Sequence, residues 1–272
     1  MADTTRYGLG MIPSLKDVRD YKFSRIETLD NFPAAIDLRP KMFDVWNQGP
    51  EGSCVPHGVG ACFRQARRLK YGWTNHYGVG LGQHIGVMED YTPSMAQLYY
   101  DARILEGTTQ IDAGASVRDG IRVLNIYGAA AYHNFPYVPG SFTTPPDAKT
   151  ATNASHHKAV RYEAVDLSNM AGVKSAINLG LPVVFGMTWY ISAFRIGPDG
   201  LMPQPGLAGD SVAGGHCITI VGYDNNLFGG CAIVRNSWGQ NFGSGGFFYM
   251  PFNLLTNTSL TGDAWILETV TT

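Results

Sequence analysis

The feature that most constrains this chain is a turn, rich in small residues, that delivers a cysteine to the start of a helix. Residues 48–55 read Gln-Gly-Pro-Glu-Gly-Ser-Cys-Val, and the stretch that follows, to about Arg68, has a pattern that predicts a helix. The unpaired N–H groups and the positive dipole end of a first helical turn favour a thiolate. We therefore expect Cys54 to be a nucleophile. Gln48 can turn its side-chain amide toward the same point and donate to a developing oxyanion.

Two β-branched segments far downstream supply an imidazole and a second amide. Residues 214–223 and 231–239 are predicted strands, and the Asn- and Gly-rich link 224–230 predicts a hairpin between them. If the turn centres near Asn226, His216 lies opposite Asn236. One ring nitrogen of His216 can then face Cys54 while the Asn236 amide holds the other, which fixes the tautomer and the ring orientation.

Three motifs in this order resemble the signatures of the papain-like cysteine peptidases. They are Gln48-Gly49-x-x-Gly52-Ser53-Cys54, Gly215-His216 with Val221-Gly222-Tyr223, and Asn236-Ser237-Trp238-Gly239 with Gly243, Gly245, Gly246 and Phe247. Weaker agreement extends from about Ile36 to Val270. The resemblance therefore covers nearly the whole chain apart from the first thirty or so residues.

The resemblance implies an α+β fold with two lobes and the active-site cleft between them. A mainly helical lobe, about 45–135, would pack against a β-barrel-like lobe, about 136–272 plus 32–44. Residues 32–272 would form the peptidase domain and residues 1–31 an N-terminal extension. That extension, which contains the stretch Ile12–Phe23, has two interpretations. It is either an arm packed on the body of the protein or a short self-inhibitory segment across the cleft.

The resemblance also implies an endopeptidase that works through a thioester. Cys54 would attack, His216 would act as general acid and base, Asn236 would orient His216, and Gln48 would help to form the oxyanion hole. The implied substrate-binding residues are Gly114, Gly186, Gly214, Gly215, Cys217 and Trp238. Gly114 would pair its backbone with the peptide as an added strand, and Trp238 would shield the bond between His216 and Asn236. No metal or organic cofactor is expected, and the partner is a peptide or protein substrate.

Several positions depart from the family pattern. Val55 replaces an aromatic residue, Phe242 replaces a tryptophan on the primed side of the cleft, and Cys217 replaces a small residue. Gly186, Gly214 and Cys217 would line the pocket for the residue two before the scissile bond, which favours a bulky apolar side chain. Two alternatives stay open: an acyl transferase or transpeptidase with the same triad, and a non-catalytic relative that binds peptides.

Periodicity and punctuation place further elements. Met95 to Leu105 and Ser116 to about Gly128 are predicted helices, and Val173 to Leu179 is a shorter one. Predicted strands run over 159–165, 182–187 and 264–270, with a long loop over 191–206. Residues 73–86 are predicted to be an exposed glycine-rich loop in which His76 and His84 have no functional role.

Composition limits the function classes. The 272 residues are 44% hydrophobic and carry a net charge of about −2, so we expect neither nucleic acid nor a membrane as partner. No apolar run has the length of a membrane span. We see no secretory signal and expect four free thiols, hence a cytoplasmic protein or one released without a classical signal.

Overall fold

The computed structural model describes residues 6–15, 17–25, 32–71 and 91–271. Six α-helices and nine strands lie in these ranges. The helices are α1 Cys54–Tyr71, α2 Met95–Glu106, α3 Val117–Ile126, α4 Ala148–Ser155, α5 Met170–Asn178 and α6 Phe252–Leu255. The strands are β1 Met11–Ile12, β2 Ala35–Asp37, β3 Ala115–Ser116, β4 Ala159–Val165, β5 Val183–Tyr190, β6 Val212–Asp224, β7 Cys231–Arg235, β8 Phe247–Pro251 and β9 Thr261–Val270. No helix in these ranges is long and apolar enough to cross a membrane.

One antiparallel sheet organises the C-terminal half of the chain. Its strands follow the order β4-β9-β5-β6-β7-β8, and β2 pairs with β6 outside that path. Among the described residues the path does not close, so this lobe is an open sheet and not a closed barrel. The α+β class with a helical and a β lobe agrees with the prediction.

Both faces of the sheet are buried, and β5 shows how the sequence achieves this. Phe185 and Trp189 point into a core formed within the β lobe, whereas Val184 points into a second core shared with the helices. Alternate residues of a strand face opposite sides, so a strand with apolar residues on both faces needs a covering layer on each. Helices α1, α2 and α3 form one of these layers. Helix α1 packs directly on β5, β6 and β9, which brings its first residue beside the sheet.

The predicted helices of the N-terminal half are confirmed, with their caps. The Ser94 hydroxyl accepts a hydrogen bond from the Gln97 N–H at the start of α2, and Gly107 ends that helix with a left-handed backbone. The Ser116 hydroxyl caps α3 in the same way, with the Asp119 N–H as donor.

Helix α4 was not predicted, and α5 begins three residues earlier than expected. Four of the eight residues of α4 (Ala-Lys-Thr-Ala-Thr-Asn-Ala-Ser), the two threonines, the asparagine and the serine, have low helix propensity. The helix is stabilised by Asp147, whose carboxylate accepts a hydrogen bond from the Thr150 N–H directly after two prolines. Helix α5 begins at Met170 because Asn169 caps it. The predicted loop with His76 and His84 lies outside the described residues.

The register of the β6–β7 hairpin differs from the prediction. Thr219 pairs with Arg235 and Gly222 with Ile233, so the pairing shifts by one residue in between. Such a shift is a β-bulge. Because β7 ends at Arg235, Asn236 is not directly opposite His216. The two side chains nevertheless meet, as described next.

Candidate active site

The buried Cys54 thiol lies at the start of α1, as predicted. Four backbone N–H groups act on its sulfur: those of Cys54 and Val55 from the helix start, that of Cys217 from β6, and that of Gly10 from the N-terminal extension. Cys217 is the residue after His216, so the sulfur lies beside the part of β6 that carries the imidazole. Burial raises the pKa of the Cys54 thiol to about 11 in spite of these donors. The expected stabilisation of a thiolate is therefore outweighed by burial in this covered state of the site.

His216 is completely buried, and Asn236 holds its ring. Nε2 donates a hydrogen bond to Asn236 Oδ1 over 2.8 Å, and the same oxygen accepts the Ser237 N–H. In the described part of the chain, Nδ1 of His216 has no hydrogen-bond partner. Burial lowers the pKa of His216 to about 4, which the Asn236 bond only partly offsets. The covered site thus favours a neutral imidazole together with a neutral thiol.

Two tryptophans enclose the His216 ring. Trp238 is stacked on it with ring centroids 4.5 Å apart and planes 21° apart. Trp189 meets it edge-on, with centroids 4.9 Å apart. The shielding role predicted for Trp238 fits this geometry. Trp189 was not predicted, although its position in the inward-facing series of β5 is a signal that could have indicated it.

Hydrogen bonds fix the orientation of the buried Gln48 amide. Nε2 donates to the Gly8 carbonyl over 3.1 Å and to the Glu51 carbonyl over 2.8 Å. Oε1 accepts a hydrogen bond from the Ser237 hydroxyl over 2.6 Å, which fixes which end of the amide faces the cleft. Ser237 was also not predicted, although it directly follows Asn236 in the third motif.

The N-terminal extension runs through the cleft with its main chain. We call residues 6–15 the arm. The Gly10 N–H donates to the Gly215 carbonyl over 3.1 Å, and the Ala115 N–H donates to the Gly10 carbonyl over 2.8 Å. Strand β1 of the arm pairs in parallel with β3. A Cβ on Gly114 would lie only 1.9 Å from the Gly10 oxygen, so the expected substrate-pairing edge is occupied by the arm.

Side chains of the arm cover most of the other predicted substrate-binding residues. The Met11 side chain lies against Gly186 and Gly215, and Leu9 lies against Gly214. Tyr7 stacks on Trp238 with centroids 4.7 Å apart, and the Trp238 indole donates to the Gly8 carbonyl over 3.3 Å. Cys217 differs from the rest of this set. Its sulfur packs against Gly58 of α1, on the helical side of the sheet.

Polar contacts hold the outer part of the extension. Arg118 forms a bidentate ion pair with Asp20, one bond of which measures 2.7 Å. Arg25 pairs with Glu268 over 2.7 Å and with Glu163 over 3.2 Å. The extension therefore has a cleft segment bound by backbone and apolar contacts and an outer segment bound by charges.

All four cysteines are buried free thiols, as predicted. Cys231 pairs with Asp224 in the hairpin, so it is out of register with Cys217. Within the described ranges, no three His, Cys, Asp or Glu side chains gather closely enough to hold a metal ion.

The two-lobe fold, with a helix-terminal thiol and an imidazole held by an amide, is that of a cysteine peptidase. The family model for the papain family cysteine proteases matches residues 113–263, and the chain belongs to that family. It is a hydrolase that acts on peptide bonds, and its substrates are peptides or proteins.

Known proteins resemble the chain over nearly its full length. An uncharacterised peptidase C1-like protein of Acanthamoeba polyphaga mimivirus is 27% identical over 98% of this chain and 89% of its own. The crystal structure of xylellain, a cysteine protease from Xylella fastidiosa, is 29% identical, covers 97% of each chain and superposes with a TM-score of 0.84. Digestive procathepsin L 3 of Tenebrio molitor is 14% identical, with 98% of this chain and 77% of its own covered and a TM-score of 0.67, and it shares the fold.

Proposed function

We propose that the protein is an endopeptidase in which Cys54, His216, Asn236 and Gln48 carry the reaction. The observation that carries the proposal is the state of the His216 ring. Asn236 holds Nε2, and Nδ1 is left without a partner within the described ranges, on the strand whose next N–H acts on the Cys54 sulfur. Because Nε2 already carries the proton that it donates to Asn236, the ring can accept a further proton only at Nδ1.

The reaction follows from these roles. His216 Nδ1 takes the Cys54 thiol proton, and the sulfur attacks the peptide carbonyl carbon. Gln48 Nε2 and the Cys54 N–H stabilise the oxyanion. His216 then gives the proton to the leaving amine as the C–N bond breaks, which leaves a thioester. In the second half, His216 takes a proton from water, the hydroxide displaces the thiolate, and the acid product leaves.

The experiment is turnover of fluorogenic peptides, with and without an irreversible thiol inhibitor. We expect hydrolysis that the inhibitor abolishes, with longer peptides accepted as well as dipeptides. Products are then analysed in the presence of an added amine. A dominant amide product would favour the acyl transferase alternative, and peptide binding without turnover would favour the non-catalytic one.

We also propose that the arm inhibits the enzyme. The Gly8 carbonyl accepts a hydrogen bond from the Gln48 amide, and the Gly10 N–H points at the Cys54 sulfur. An N–H group is not an electrophile, so this contact does not lead to cleavage. Burial raises the pKa of Cys54 and lowers that of His216 while the arm is in place, which disfavours the ion pair. An arm that fills the site would keep the enzyme latent.

The same contacts favour substrates with an apolar side chain two residues before the scissile bond. Met11 lies against Gly186 and Leu9 against Gly214, two glycines of the predicted pocket, where a Cβ would come within 2.8 Å and 3.1 Å of these side chains. A cleaved peptide library should therefore show Met, Leu or similar side chains at that position. A strict preference for a small or acidic residue there would contradict this specificity.

A further inference from the structure

A small cavity lies behind the amide of Asn236. Its volume is about 10 Å³, and its lining includes His57, Thr219, Arg235 and Asn236. A cavity of roughly this size can hold a single water molecule when two or more polar groups bind it. Whether this cavity binds a water molecule therefore depends on the polar groups that line it.

Asn236 brings an unused donor. Its Oδ1 accepts two hydrogen bonds, from His216 Nε2 and from the Ser237 N–H. Its Nδ2 is buried and has no hydrogen-bond partner among the residues described. A buried amide rarely leaves both of its N–H groups without an acceptor, because the lost hydration is not replaced.

His57 brings the matching acceptor. It lies one turn after Cys54 in α1, and its Nδ1 contacts the Ser53 carbonyl over 2.8 Å. A carbonyl only accepts, so Nδ1 carries the proton and Nε2 keeps a lone pair. Burial lowers the pKa of His57 to about 4, and the nearby Arg235 charge acts in the same direction. The ring is therefore neutral at ordinary pH, and Nε2 can accept.

We propose that one water molecule in this cavity accepts a hydrogen bond from Asn236 Nδ2 and donates one to His57 Nε2. The inference rests on the proposed role of Asn236 and adds His57 as a positioning residue. An asparagine amide has two ends of similar shape, and only the oxygen can accept the His216 Nε2–H. A bound water that needs a donor on the cavity side keeps the NH₂ group there, and so keeps the oxygen toward His216.

The test uses two variants that divide the functions of the His57 ring. His57→Asn can still donate to the Ser53 carbonyl but has no group at the position of Nε2. His57→Gln places an amide near that position and can offer an acceptor to the water. We expect kcat of His57→Asn to fall about 3- to 10-fold, as for the loss of one hydrogen bond, with KM unchanged. His57→Gln should recover most of that loss.

Coupling to Asn236 separates positioning from a merely structural role. In an Asn236→Ala background, His57→Asn should have no further effect on kcat. An equal fall in both backgrounds would mean that His57 acts through Ser53 and the helix, and would overturn the inference. If Asn236→Ala lowers kcat while His57→Asn does not, this inference alone fails. If Asn236→Ala itself has no effect, the proposed role of Asn236 fails with it.

A high-resolution crystal structure of the unmodified protein decides the matter even if a variant does not fold. The expected result is one ordered water within about 3.2 Å of both His57 Nε2 and Asn236 Nδ2. A dry cavity, or a water that contacts only one of the two, would overturn the inference.

Discussion

The wall of the cleft that carries His216 and the arm that covers it are held in different ways. The wall is a packed set of side chains: His216, Asn236, Trp189 and Trp238 are all buried. The arm binds through backbone hydrogen bonds and a few apolar contacts, and Leu15 at its end and Val18 just beyond it are almost fully exposed. The wall is thus part of the core, and the proposed inhibition requires the arm to leave it without unfolding it.

This difference gives the two regions opposite expected effects on activity. Changes at the catalytic residues should reduce turnover, because these groups act in the reaction. Changes in the arm should increase turnover, because the arm occupies the place of a substrate.

The largest expected effect follows from Cys54→Ala. Removing the nucleophile should lower kcat by about 10⁴-fold or more, while the thermal unfolding midpoint stays close to that of the unmodified protein. Turnover of a fluorogenic peptide and a melting curve measure the two quantities. Cys62→Ala, a buried thiol of the same helix, is the matched control and should retain activity. Comparable hydrolysis by both variants would exclude Cys54 as the nucleophile.

Alanine at Gly8 and Gly10 should activate the enzyme. A Cβ at either position would lie 2.0 Å from a backbone carbonyl oxygen, that of Glu51 or that of Gly52. Overpacking of this kind costs about 1–3 kcal/mol, which shifts the ratio of open to closed arm about 5- to 150-fold. The rate of hydrolysis of a small peptide substrate should rise by up to the same factor.

The matched control for the arm is Gly262→Ala. A Cβ at this glycine in β9 meets nothing within 4 Å, so the rate should not change. Unchanged or slower turnover of the Gly8 and Gly10 variants, with the fold intact, would show that the arm does not inhibit.

The free energy of unfolding should depend on pH through a carboxyl group at β3, the strand that pairs with β1 of the arm. Glu106 Oε1 accepts the Ser116 N–H of β3, and burial raises the Glu106 pKa from 4.5 to about 7. The pKa of Glu106 is higher in the folded state than in the unfolded chain, so protonation of Glu106 stabilises the fold. That stabilisation is complete below about pH 4.5 and is lost as pH rises through about 7. Chemical denaturation across this window should show a shallower pH dependence in Glu106→Gln. An identical slope in both proteins would contradict the assignment.

The smallest effect is expected in the outer segment of the extension. Arg118→Ala removes the pair with Asp20, and partly exposed pairs contribute about 0–1 kcal/mol. Turnover should therefore rise by no more than about fivefold, and added salt should reduce the difference from the unmodified protein. Arg122→Ala, which removes only the pair with Asp119 on the same helix, should leave the rate unchanged.

The sequence allowed the fold class and the meeting of His216 with Asn236 to be predicted, but not how they meet. The motifs specify residue types in order, which is enough to identify the two lobes. The one-residue shift lies between Ile220 and Gly222, on a strand that also pairs with β2 and β5. Gly222 marks a possible bulge, because a glycine inside a strand often does, but it does not give the direction of the shift. The pair forms anyway because Asn236 follows the last residue of β7 and its side chain reaches across.

The position of the arm could not be decided from its own residues. The sequence from Tyr7 to Met11 is a short apolar stretch with two glycines. Such a stretch is as typical of an arm packed on the body of the protein as of an inhibitory segment across the cleft. What favours the binding is the absence of side chains on Gly8 and Gly10 together with glycines on both sides of the cleft, at Gly114 and Gly215. Such complementarity between distant segments becomes visible only in three dimensions.

The central claim is that the Cys54 sulfur carries the acyl group of the substrate. The most direct measurement is mass spectrometry of the protein after rapid mixing with an activated peptide ester and quenching in acid, followed by peptide mapping. The account predicts one acyl group, attached to Cys54, that forms before product and disappears when substrate is exhausted. An acyl group on another residue, or turnover with no acylated protein at any time, would contradict it.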